Sequence, residues 1–245
     1  MTDPVFSRLL ILALSFALAI TCLFSAFPHL DLVISGVFTD GHGHFLMVAH
    51  PALQMLNDVL RFAQNGFFAG CILILALRLL RLTPPFDPGP WCLLAFSYAV
   101  GPGLIVNGIL KAWMGRARPL TITEFGGDKL FTPMLQISDQ CSKNCSFSSG
   151  EVALNSTFAF AILVLIWPRL GPRMKPVAVL FGAGWIGLSM ALRIGLGRHF
   201  MSDALFSIAV SALVVLAAYR LFILPRTAHR TAVPSSPVPS AHLHR

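Results

Sequence analysis

The stretch "RIGLGRHFMSD", Arg193–Asp203, interrupts the most apolar half of the chain. An apolar run covers about 176–194 on its N-terminal side, and another covers about 204–224 beyond it. A helix needs roughly 20 residues to cross a hydrocarbon core about 30 Å thick. Both runs have that length, so two arginines, a histidine and an aspartate gather at the mouth between two membrane spans. Ionisable groups at a hydrocarbon boundary are expensive unless they are paired or used. Four further runs of similar character lie at about 9–27, 63–80, 91–110 and 152–167. The expected fold class is therefore all-α: a polytopic membrane protein with six transmembrane helices.

Composition agrees. Of 245 residues, 56% are hydrophobic and only 11% charged, against roughly a quarter charged in soluble domains. The net charge of +8 invites a nucleic-acid reading, but the basic residues lie in short loops between apolar runs, as membrane topology requires. No nucleic-acid partner is expected; the lipid bilayer is. The first run is too long for a signal peptide and no small-x-small cleavage site follows it, so it is expected to remain as an anchor. One side of the membrane collects Arg8, Arg78, Arg81, Arg169, Arg173, Lys175, Arg220, Arg226, Arg230 and Arg245, offset only by Asp3 and Asp87. The other basic residues share their side with the remaining acidic ones. The first side is read as cytoplasmic, with both termini inside. Residues 1–225 are expected to form one membrane domain. The Pro- and Ser-rich segment 226–245 reads as a disordered cytoplasmic tail.

With six spans and an internal N-terminus, the ends of spans 3 and 5 and the starts of spans 4 and 6 face outward together. "KAWMGRARP" (111–119), "SSGE" (148–151) and "RIGLGRHFMSD" (193–203) thus meet on one face. Lys111, Arg118 and Arg193 would bring three cations together beside hydrocarbon, and like charges gather there to hold an anion. A phosphate suits them, because Arg offers a planar fork and Lys a point charge. Ser149 and Gly150, at the start of span 4, would add backbone N–H donors and the positive end of a helix dipole. The bland alternative is that each cation only anchors a helix end at the headgroups. His199 and Asp203 are four residues apart, which on a helix places them on one face. The carboxylate would then accept the Nδ1 proton and leave Nε2 nucleophilic.

These residues resemble the type 2 phosphatidic acid phosphatases, the lipid-phosphatase branch of the fold shared with vanadium haloperoxidases. The family's first motif, Lys, six residues, Arg-Pro, reads here as Lys111, Arg118 and Pro119. Its third, Arg, five residues, His, three residues, Asp, reads as Arg193, His199 and Asp203. The resemblance runs from span 1 through span 6. Two departures stand out. Leu192 occupies the place of a usual Ser, and Ser148, Ser149, Gly150 and Glu151 stand where the family reads Pro-Ser-Gly-His. The resemblance implies a metal-free, cofactor-free, two-step reaction. His199 attacks phosphorus, and water hydrolyses the phosphohistidine. Lys111, Arg118, Arg193 and the Ser149–Gly150 amides stabilise the transferring group. Glu151, in the place of the family's second histidine, has three readings: a proton carrier, an ion-pair partner that holds the pocket, or the mark of a weakened enzyme.

Asp40, His42, His44 and His50 invite a metal reading, but their glycine-rich setting favours a loop. Cys141 and Cys145 share the loop between Pro119 and Ser148, where a disulfide is geometrically open. That loop is expected to cap the site and select headgroups. Cys22, Cys71 and Cys92 read as packing residues. The functional expectation is a phosphomonoesterase of a bacterial inner membrane, with its site facing the periplasm. The substrate would be a phospholipid or glycolipid phosphate: lipid A phosphate, phosphatidylglycerol phosphate, undecaprenyl pyrophosphate or phosphatidate. Lipid A is favoured by analogy. A lipid phosphotransferase and a non-catalytic lipid-phosphate binder or transporter are the rivals. Oligomeric state is open.

Overall fold

Helix α1 (Asp3–Ala26) enters the membrane, and Pro28 turns the chain into the short helix α2 (His29–Gly36), which carries Asp31 and Ser35 inward. Helix α3 (Pro51–Leu79) opens with proline at its first turn, where a missing N–H leaves no bond unmade. Helix α4 (Gly89–Trp113) widens into π-helical turns over Ala99–Leu110, around Pro102. The Asn107 amide donates to the Pro102 carbonyl at 2.7 Å, satisfying an acceptor that the wider turn leaves loose. Helices α5 (Gly150–Ile166), α6 (Met174–Gly195) and α7 (Met201–Phe222) complete the set. This computed structural model describes residues 3–224, so the expected tail at 226–245 lies outside the described residues. Among the described residues the only β-pairing is two isolated bridges.

Among the described residues six helices are long and apolar enough to span a membrane. In their most apolar stretches α4, α5 and α7 are 44%, 39% and 44% buried, against 11% for α1 and α3 and 28% for α6. The first three therefore form the inner bundle, and the others ring it. Leu93, Leu94, Ala161, Val215 and Ala218 pack the centre of that bundle. The ring helices turn Leu12, Leu18, Met55, Phe62, Leu180 and Phe181 outward, as a lipid-facing surface requires. A buried polar chain crosses the bundle: Tyr98 donates to Gln64, Gln64 to Asn155, and Asn155 to Ser189.

Three details depart from expectation. The second span starts twelve or so residues earlier than its apolar run. Gln54, Asn57, Asp58, Arg61 and Asn65 lower the hydropathy there, yet their spacing puts them on one helical face. Helix α2 was not anticipated. Cys71 is a packing residue as expected, while Cys22 is exposed on the outward side.

Candidate active site

Lys111 ends α4, Arg118 follows a turn, Arg193 closes α6, and Gly150 and Glu151 begin α5; all five line one cavity of about 350 Å³. The turn depends on Gly115, which holds φ +60° and lies so close to the Ser138 carbonyl that a Cβ would collide with it. Ser149 is the N-cap of α5 and accepts the Val152 N–H at 3.5 Å. Gly150 packs so closely that a Cβ would lie 2.7 Å from Asn107 Oδ1. The first N–H groups of a helix have no intrahelical partner, so the α5 terminus presents donors to the cavity that Gly150 and Glu151 line. Helix α3 supplies a wall that the motifs did not reveal: Asn57, Asp58, Arg61 and Asn65.

Arg193 Nη1 pairs with Glu151 Oε2 at 2.9 Å and donates to Asn57 Oδ1 at 3.2 Å. Arg61 pairs with Asp58 at 2.9 Å. Burial, and then the neighbouring Arg198 guanidinium, hold Arg118 below its ordinary pKa. Like charges crowded on one wall favour a bound anion between them. Among the described residues, the Nε atoms of Arg118 and Arg193 have no hydrogen-bond partner.

His199 departs from the helical placement expected of it. It lies in the turn before α7, fully buried, and its Nδ1 donates to the Ser146 carbonyl at 2.6 Å. Asp203 Oδ2 is 3.8 Å from Nδ1, beyond hydrogen-bond reach. The expected His199–Asp203 hydrogen bond is therefore replaced. The cause is the start of α7 at Met201, which makes Asp203 a first-turn residue whose Oδ2 accepts the Phe200 N–H at 2.9 Å. A carbonyl only accepts, so the proton resides on Nδ1 and Nε2 carries the lone pair. Among the described residues Nε2 has no partner. Burial, together with the Arg193 and Lys111 charges, outweighs Asp203 and pushes the imidazole pKa down to about 3, so it is neutral at physiological pH.

Arg116 was missed. It is 1% exposed and holds Asp203 Oδ1 at 2.6 Å, Asp31 Oδ2 at 2.8 Å, Ser202 Oγ at 2.9 Å and the Thr132 carbonyl at 2.7 Å. Its guanidinium also lies 4.2 Å from the Phe200 ring centroid. It thus ties the long loop, α2 and α7 together behind His199. The available signal was Asp31, a lone carboxylate in the apolar stretch "PHLDLVISG" (28–36), since such a charge is rarely buried unpaired. Of the expected site residues, Lys111, Arg118, Gly150, Glu151 and Arg193 line the cavity, whereas Ser149, His199 and Asp203 are buried and do not line it. Cys141 and Cys145 form a disulfide, with Cα atoms 5.5 Å apart. Asp40 takes the His42 and His44 N–H groups in a local turn.

Residues 90–225 match the profile of the PAP2 superfamily. A lipid A 4'-phosphatase of Francisella tularensis subsp. novicida is 32% identical over 186 residues, covering 75% of this chain and 82% of that protein. Lipid A 4'-phosphatases of Rhizobium etli and Rhizobium leguminosarum are 35% and 36% identical over 119 and 120 residues. Those alignments span 49% of this chain and 44% and 48% of theirs. A transmembrane PAP2 type phosphatidylglycerolphosphate phosphatase from Bacillus subtilis, solved by crystallography, superposes with a TM-score of 0.49 at 21% identity, over 96% of this chain and 100% of that one. The chain belongs to the PAP2 superfamily and is a multi-pass membrane phosphatase.

Proposed function

We propose that this phosphatase removes a phosphate from a lipid headgroup at the periplasmic face of a bacterial inner membrane, through a phosphohistidine on His199. Lipid A phosphate is the first candidate substrate. The observation that carries this reading is the cavity itself: Lys111, Arg118 and Arg193, from three separate elements, line it. The Lys111 and Arg193 charges act on a buried imidazole whose lone pair is unpartnered among the described residues. The substrate class draws support from the names of the relatives above. The orientation draws support from the loop charges, because Arg78, Arg81, Arg169, Arg173 and Lys175 lie at helix ends opposite the cavity. One membrane domain through residue 225 is part of the same proposal.

In the first step His199 Nε2 forms a bond to phosphorus as the bond from phosphorus to the headgroup oxygen breaks. Lys111, Arg118, Arg193 and the α5 N-terminal amides hold the equatorial oxygens. The departing oxygen takes a proton. In the second step water attacks phosphorus and gives up a proton, the N–P bond breaks, and inorganic phosphate leaves. One proton is consumed and one returned, so a single group can carry it. We assign this work to Glu151, which lines the cavity. In the first step its carboxyl gives the proton to the departing oxygen, and in the second the resulting carboxylate takes one from the attacking water, which restores it.

The test is phosphate release by the purified protein from lipid A phosphate, phosphatidylglycerol phosphate, undecaprenyl pyrophosphate and phosphatidate, with products read by mass spectrometry. Lipid A phosphate is expected to lose one phosphate fastest. Turnover of the others with lipid A phosphate untouched would contradict the substrate assignment, and wild-type rates in His199→Ala would contradict the mechanism.

A further inference from the structure

Ser146 belongs to none of the sequence motifs, yet it touches every group that sets His199. It is fully buried. Its carbonyl accepts the His199 Nδ1–H at 2.6 Å, its hydroxyl donates to Asp203 Oδ2 at 2.5 Å, and its N–H donates to the Arg116 carbonyl at 2.8 Å. The preceding residue, Cys145, is also buried and is bonded to Cys141. Between the two cysteines Ser142, Lys143 and Asn144 are exposed. Asn144 lines the rim of the catalytic cavity.

We propose that Ser146 is the positioning residue for His199, and that the Cys141–Cys145 disulfide clamps it in place, so that turnover requires this loop to be oxidised. The proposal rests on His199 being the nucleophile. A neutral imidazole has two tautomers, and only the one with its proton on Nδ1 leaves Nε2 free to attack. Since Asp203 is too distant to accept that proton, the Ser146 carbonyl alone fixes the tautomer and the ring plane. The Ser146 hydroxyl ties the residue to Asp203 Oδ2 at the start of α7 and so helps fix where its carbonyl points. A shift of about 1 Å in a reacting group costs about 10²-fold in rate, so the carbonyl must be held. The chain around it, from Thr123 to Ser149, has no helix longer than three residues. Its anchors include Arg116 on Thr132, Ser138 on Met114 and Gly115, and Phe131 against Phe200; beside Ser146 itself they are its N–H on Arg116 and the disulfide. Thiol reductants open a disulfide by exchange, giving two cysteine thiols and the oxidised reductant. The clamp would therefore close in an oxidising compartment and open in a reducing one.

The experiment measures kcat and KM of the full-length protein in detergent on a lipid phosphate that the wild type hydrolyses. Ser146→Ala is expected to lower kcat about 10- to 100-fold with KM little changed, and Ser146→Thr, which keeps the hydroxyl, to recover most of it. Dithiothreitol should lower wild-type kcat about tenfold and reoxidation restore it. The Cys141→Ser/Cys145→Ser double variant should be slow from the outset and indifferent to the reductant. Wild-type kcat unchanged when both loop thiols titrate as free overturns the proposal, and this arm decides alone should Ser146→Ala fail to fold. Full turnover in Ser146→Ala also overturns it. Full turnover in His199→Ala would instead remove the nucleophile on which it rests.

Discussion

At the scale of single residues, Glu151 stands out in the sequence at a motif position whereas Arg116 is one charge among several, and the structure gives them different settings. Arg116 is enclosed by Asp31 and Asp203 with almost no exposure. Its removal strands two carboxylates in the interior, so Arg116→Leu is expected to destabilise by about 3–5 kcal/mol, read by denaturant or thermal unfolding in detergent. Arg116→Lys should not restore it, because one ammonium cannot reproduce a planar fork between two acids. Glu151 keeps some exposure on the cavity wall. Glu151→Gln should slow lipid phosphates about 10²-fold and slow an aryl phosphate with a good leaving group far less; equal losses would count against a proton-carrying role. His199 adds a pH effect whose sign follows from its depressed pKa. The folded state resists the proton that the unfolded chain takes up near its ordinary value of 6.5, so stability holds above that pH and falls as pH drops towards about 3. Melting temperature between pH 7 and 4 should slope more steeply for the wild type than for His199→Gln. Lys111, Arg118, Arg193, His199 and Asp203 were legible because their spacing carries the family pattern. Arg116 was not, since its partner Asp31 lies 85 residues away and nothing in local spacing joins them.

The helices were legible to the extent that lipid, rather than neighbouring protein, dictates their composition. The last three spans begin and end close to their apolar runs, because a spanning helix is apolar towards both lipid and the bundle interior. Helix α3 does not, since its first turns face the cavity and carry Asn57, Asp58, Arg61 and Asn65. A polar face towards a water-filled site lowers hydropathy without breaking a helix. The turn from α6 to α7 is where the sequence breaks its apolar runs, but it reaches further than expected, taking in His199, and Gly197 marks it. Gly197 has φ +62°, and a Cβ there would lie 2.6 Å from the Phe45 ring. Gly197→Ala is therefore expected to destabilise by about 1–3 kcal/mol. It should also reduce turnover, because the same turn aims His199; unchanged stability and kcat would show that the turn tolerates a side chain.

For the molecule as a whole, topology does the organising. The alternating direction of successive spans puts the ends of α4 and α6 and the starts of α5 and α7 on one face. That is why residues spread from Lys111 to Arg193 reach a common cavity, with His199 and Asp203 buried in the turn and helix start that follow Arg193. This convergence could be read from span count and loop charge alone. The loop between Pro119 and Ser148 could not, because irregular chain is fixed by particular bonds, such as Arg116 to Thr132 and Cys141 to Cys145, and not by a period. The central claim is that this assembly makes His199 Nε2 a nucleophile towards a phosphate held by Lys111, Arg118 and Arg193. The most direct measurement is rapid quench of the purified protein during turnover of a phosphorus-labelled lipid phosphate, with peptide mapping by mass spectrometry. An acid-labile, base-stable phosphoryl group on His199, absent from His199→Ala along with turnover, is the predicted result. Label on another residue, or wild-type turnover by His199→Ala, would contradict it.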